Sequence, residues 1–81
     1  RFSRRNRFQL IQAFRRLSQN DLYRVFAGYK DIRRIQMVID ALEQCPTTPV
    51  RDIAKSIGLS KTLLYSILGD ASLRLNLTED A

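Results

Sequence analysis

The sequence predicts a mainly α fold, a small multi-helix domain that closes on one short terminal β-strand. Three observations carry this expectation. Apolar residues recur at three- and four-residue spacing through most of the chain. Ser, Asp, Thr, Gly and Pro stand where such helices would start and stop. Strict alternation of apolar and polar residues occurs once, in Ser72-Leu73-Arg74-Leu75-Asn76-Leu77-Thr78. The 81 residues are of single-domain size. With 44% hydrophobic and 27% charged residues, three Gly and two Pro, the composition is that of a folded chain, not of a disordered, collagen-like or Pro-rich one.

The elements follow in order. Residues 5–17 place Leu10, Ile11, Phe14 and Leu17 on one helical face and Arg5, Gln9, Gln12 and Arg16 on the other, with Phe8 toward the polar side. Ser18 is suited to cap a second helix, with Asp21 as a short-armed capping-box partner. Leu22, Val25, Phe26 and Tyr29 form its apolar side, and Gly28 with Lys30-Asp31 marks its end. A third helix runs from Asp31, its expected N-cap, to about Gln44. Ile32, Ile35, Ile39 and Leu42 form its stripe, widened by Met37 and Val38, and Pro46 stops it. Such a stripe is core packing. Thr48 is the expected N-cap of a fourth helix over residues 49–57, with Pro49 at its first position and Gly58 breaking it. Ser60 is expected to cap a fifth helix that ends near Leu68 at Gly69. The alternating segment then reads as a strand, which needs a pairing partner from elsewhere in the chain, from sequence beyond it or from a second subunit.

Charge narrows the functional classes. Fourteen Lys and Arg against eight Asp and Glu give a net charge of +6; Lys30, Lys55 and Lys61 are the lysines and the other eleven cations are arginines. The excess is uneven. Residues 1–34 hold ten basic and two acidic residues, whereas residues 35–81 hold four basic and six acidic ones. A basic half points to a polyanion, nucleic acid or an anionic membrane surface. Without His there is no His-based triad, proton shuttle or zinc site. The single Cys45 allows no internal disulfide or cysteine cluster, and reads as a small half-buried residue. No apolar run reaches the ~18 residues of a membrane span. No secretory leader is visible, and the chain opens on Arg1, as a piece of a longer protein would. The expectation is a non-enzymatic chain with no cofactor and no evident small-molecule site, in a reducing compartment, cytoplasmic or nuclear.

Residues 50–68 meet the demands of two short helices crossing near a right angle. Ala54 is small where the second helix approaches, and Gly58, four positions on, tolerates positive φ in the turn. Ile53, Ile57, Leu59, Leu64 and Ile67 close the angle from both sides. The segment Ile53-Ala54-Lys55-Ser56-Ile57-Gly58-Leu59-Ser60-Lys61-Thr62-Leu63-Leu64-Tyr65-Ser66-Ile67-Leu68 resembles the helix-turn-helix of bacterial transcription regulators. Its pattern is similar to the IclR-type winged helices and to the DNA-binding ends of resolvases and invertases. Ala41-Leu42-Glu43-Gln44 and Pro46-Thr47-Thr48-Pro49 stand where IclR-type domains have their first helix and connecting turn. The resemblance covers about residues 32–69. It departs from the winged pattern in showing one strand where a wing has two.

The resemblance implies sequence-specific binding of double-stranded DNA, with the 60–68 helix in the major groove. Ser60, Lys61, Thr62, Leu63, Tyr65 and Ser66 point away from the apolar seam and would face the bases. Thr48, Arg51 and Lys55 would stand near the phosphates. Outside the resemblance, Arg1, Arg4, Arg5 and Arg7 read either as a solvated charged face or as an arm along the backbone or in a minor groove. The chain is thus expected to be one DNA-binding domain: a basic arm and helices over 1–30, a three-helix unit over 31–69, and a strand and tail over 70–81. A regulator of transcription, a plasmid or a phage, acting as a homodimer, is the first reading. The DNA-targeting domain of a recombinase or transposase is the second, and an adaptor docking an acidic protein is the third. RNA binding lacks an aromatic platform on a sheet, and the apolar face of the first helix is better used as core than on a membrane.

Overall fold

Within the computed structural model, residues 3–29 and 32–77 are described, and five helices occupy most of them. They are α1 (Arg4–Arg15), α2 (Gln19–Val25), α3 (Ile32–Gln44), α4 (Val50–Ile57) and α5 (Lys61–Arg74). Helix α1 starts one residue earlier than the periodicity predicts, because Ser3 and Asn6 build a capping box. The Ser3 Oγ accepts from the Asn6 N–H at 3.2 Å, and the Asn6 Oδ1 accepts from the Ser3 N–H at 3.0 Å. Helix α2 is capped as expected, the Ser18 Oγ accepting from the Asp21 N–H at 3.2 Å. The N-cap expected at Asp31 lies outside the described residues.

Helix α3 is the spine. Its Ile35, Val38, Ile39 and Leu42 are wholly buried, and it packs between α1 and α4. Met37, expected on the same stripe, instead points outward. One contiguous core joins that stripe to Leu10 and Phe14, to Leu22 and Phe26, to Val50, Ile53 and Ala54, and to Leu64, Ile67, Leu68 and Ala71. The Phe26 ring meets Phe14 at 6.0 Å and stands edge-on to Tyr29 at 5.7 Å between centroids, within the range of favourable aromatic pairs.

Two expectations at helix ends are corrected. Thr48 does not cap α4. Cys45 through Thr48 form a turn with Pro46 at its second position, closed by the Thr48 N–H donating to the Cys45 carbonyl at 3.2 Å. Pro49, in extended backbone, becomes the N-cap, without a side-chain cap bond; its carbonyl accepts from the Asp52 and Ile53 N–H groups. The second correction is larger. Gly69 does not end α5, and no strand forms among the described residues; Thr78 lies outside them. Leu64, Ile67, Leu68 and Ala71 continue to Leu75 at helical spacing, so the alternating leucines mask a helical stripe. Leu75 packs on the core while Leu73 is 75% exposed. The helix ends where Asn76 takes a left-handed conformation at φ 58°. There the Leu77 N–H donates to Ser72 O at 3.0 Å and the Asn76 N–H to Leu73 O at 3.1 Å, a Schellman closure with Asn in place of Gly.

Two arginines tie distant segments together. Arg7 is buried, and its guanidinium donates to the carbonyls of Thr48 at 2.5 Å and Cys45 at 2.7 Å, satisfying the exit of α3. Arg74 does the same for the exit of α2. It donates to the carbonyls of Val25 at 3.0 Å and Ala27 at 2.9 Å, and lies over the Tyr29 ring at 5.3 Å. In both places a cation meets the negative end of a helix.

Candidate nucleic-acid interface

Helices α4 and α5 set the geometry of the candidate site. Gly58 ends α4 in the left-handed conformation at φ 76°, which a Cβ would strain. The Leu59 N–H reaches back to Ala54 O at 2.9 Å, and the chain turns through Leu59 into Ser60. The Ser60 Oγ then accepts from the Leu63 N–H at 3.1 Å and opens α5. Ile53, Ala54, Leu64 and Ile67 are buried between the two helices, with Ile57 and Leu59 packed at the edge. Ala54, at 1% exposure, is the small residue of this buried set.

This packing leaves the other side of α5 uncovered. Ser60, Lys61, Thr62, Leu63, Tyr65 and Ser66 are all exposed. Leu63 and Tyr65 rank among the exposed large apolar side chains, so the start of α5 carries apolar groups outward as well as inward. An amphipathic helix serving only its own core would place polar groups there. Lys61 brings a positive charge to the first turn, where the helix dipole disfavours it.

The remaining predicted site residues divide. Arg51 and Lys55 are exposed on α4, and Thr48 is half-buried with its carbonyl taken by Arg7. Arg4 and Arg5 are exposed at the start of α1. Arg7 is not part of a free arm. Burial holds its pKa below the ordinary arginine range, the charge of nearby Arg4 pushes the same way, and its donors are committed to backbone. Position 7 stands three residues before Leu10 and seven before Phe14, on the apolar stripe, and that spacing is the signal that sets it apart from its neighbours. Arg1 lies outside the described residues. On the far side of α1, Arg15 bridges Asp40 at 2.5 Å and Glu43 at 2.6 Å, and these two carboxylates raise its pKa.

One residue that the motif did not single out belongs beside the site. An open cleft of about 420 Å³ runs between the α2–α3 connection and α5. Gly28, Tyr29 and Arg34 line one side, and Leu63, Ser66, Ile67, Asp70 and Arg74 the other. Arg34 thus lines the same cleft as two of the expected base-facing residues. Burial keeps the Tyr29 phenol neutral to higher pH than a free tyrosine. Among the described residues no cluster of three His, Cys, Asp or Glu side chains could hold a metal, and no helix is long and apolar enough to cross a membrane. Comparison with protein-family models, curated proteins and solved structures finds no match for this chain.

Proposed function

We propose that this chain binds double-stranded DNA through a helix-turn-helix made of α4 and α5, with the first two turns of α5 in the major groove. The observation that carries this reading is the uncovered face of α5. A buried seam orients the helix rigidly while Lys61, Thr62, Leu63, Tyr65 and Ser66 face out. Lys61 and the hydroxyls of Thr62 and Ser66 suit phosphates and base edges, and Leu63 and Tyr65 suit a thymine methyl. Exposed Arg51, Lys55, Arg4 and Arg5 are candidates for the sequence-independent affinity that phosphate contacts supply. Regulation of transcription, a plasmid or a phage by a homodimer remains the first form of this proposal, and targeting of a recombinase or transposase its variant.

Anisotropy titration against labelled random duplex tests it. Binding at low salt is expected, with a steep salt dependence. Lys61→Ala is expected to flatten the salt slope by about one unit and Tyr65→Ala to weaken preferred sequences more than random ones. An unbound duplex would end the proposal. One observation favours a second reading, an adaptor for an acidic protein. Phe8 is 63% exposed beside Arg4 in a groove between α1 and the end of α3, an apolar spot with a cationic rim. The adaptor reading predicts no duplex affinity and loss of partner capture in Phe8→Ala.

A further inference from the structure

The cleft between the α2–α3 connection and α5 carries two cations, Arg34 and Arg74. They differ in what they do. Arg74 is committed: its Nε donates to the Asp70 carboxylate at 2.9 Å, its terminal nitrogen to Val25 and Ala27 carbonyls, and its plane covers Tyr29. The same contact neutralises Asp70, the one acid on the cleft wall. Arg34 is exposed and has no acidic partner among the described residues. It also stands in the first turn of α3, which contains no acid among the described residues. There the helix dipole opposes a cation. Arg34 is therefore an exposed cation that lines the same cleft as Leu63 and Ser66 and is open to a ligand from outside the fold.

We infer that Arg34 seats a backbone phosphate of the duplex whose groove α5 enters, making the cleft a phosphate clamp on one flank of the recognition helix. This rests on the duplex-binding reading above. When α5 lies in a major groove, the sugar-phosphate strand bordering that groove passes along the flank of the helix. The Leu63–Ser66–Asp70 stripe is such a flank, and Arg34 rises opposite it from α3. The Arg74–Asp70 pair keeps the cleft from repelling the strand, and the Ser66 hydroxyl lines the same cleft as a second donor. The contact is to phosphate, so it fixes register and affinity without reading sequence.

The test compares Arg34→Gln and Arg34→Lys with the unaltered chain, by anisotropy against random duplex over a salt series and by thermal melting. Arg34→Gln is expected to flatten the slope of log Kd against log salt by about one unit, equally for every duplex sequence. Its melting temperature is expected to equal or exceed that of the unaltered chain, because a first-turn cation is gone. Arg34→Lys is expected to keep the slope, since an ammonium also serves a phosphate. An unchanged slope in Arg34→Gln overturns the clamp while leaving duplex binding intact. So does a fall in melting temperature parallel to the loss of affinity, which would mark Arg34 as a structural residue. If the unaltered chain does not bind duplex at all, both this inference and the reading beneath it fail.

Discussion

Arginine is the commonest charged residue of this chain, and its copies do two different jobs. Arg7 and Arg74 turn inward and hold the carbonyls at the exits of α3 and α2. Arg4, Arg5 and Arg51 stay in water. The two classes predict opposite phenotypes. Arg7→Ala strips the Thr48 and Cys45 carbonyls of a charged side-chain donor and leaves two half-buried acceptors short of a partner. It is expected to destabilise the fold by roughly 1–3 kcal/mol in a chemical denaturation series. Its duplex salt slope, measured where the variant is folded, is expected to match that of the unaltered chain. Arg4→Ala with Arg5→Ala is expected to leave denaturation within about 0.5 kcal/mol and to flatten the salt slope if those side chains meet phosphates. A salt-slope change in Arg7→Ala without loss of stability would return it to the arm.

At the scale of elements, α5 shows both what the sequence discloses and what it hides. Its start is legible because local chemistry decides it: Gly58 must turn left-handed, Ser60 must cap, and Leu64 and Ile67 must meet Ile53 and Ala54. Its end is not, because tertiary packing decides it. Gly69 looks like a stop, yet its φ is not positive and a Cβ there would meet nothing within 4 Å. Leu73, Leu75 and Leu77 alternate like a strand, yet Leu75 lies four residues after buried Ala71 and extends the helical stripe. Thr48 fails as a cap for a related reason, since the turn closed by Cys45 and Thr48 moves that duty to Pro49. The exposed face of α5 was readable from spacing; the nearness of Arg34 was not, because it depends on how α3 lies against α5. Two substitutions check the element. Gly69→Ala is expected to stabilise the fold by about 0.5–1 kcal/mol, as for an unstrained glycine inside a helix. That corresponds to a rise of several degrees in Tm for a domain this small. Gly58→Ala is expected to cost about 1–2 kcal/mol, because its left-handed backbone is unfavourable for any residue with a Cβ. A destabilised Gly69→Ala would return the helix end to residue 68.

The Cα trace spans 31 × 28 × 21 Å. Successive major grooves on one face of a duplex lie about 34–36 Å apart. In the proposed binding mode each copy offers one α5, so two half-sites would take a pair of copies. Leu73 and Phe8, at 75% and 63% exposure, are the most exposed large apolar side chains among the described residues and the first candidates for such a pairing surface. Leu73→Asp is expected to leave melting of the monomer within about 0.5 kcal/mol, and to abolish paired occupancy of inverted half-sites in a gel-shift titration while a single half-site still binds. Equal pairing in that variant would clear Leu73 of the role. The two arginine clasps also bear on how this domain can be moved between proteins. The stretch read from the sequence as like a helix-turn-helix, residues 32–69, contains neither Arg7 nor Arg74, and lacks α1, which packs on α3. A chimaera built by excising that stretch alone would carry the exposed face of α5 on an unfinished core. A transplant should keep at least the span from Arg7 to Arg74, so the border of that stretch is not a safe place to cut.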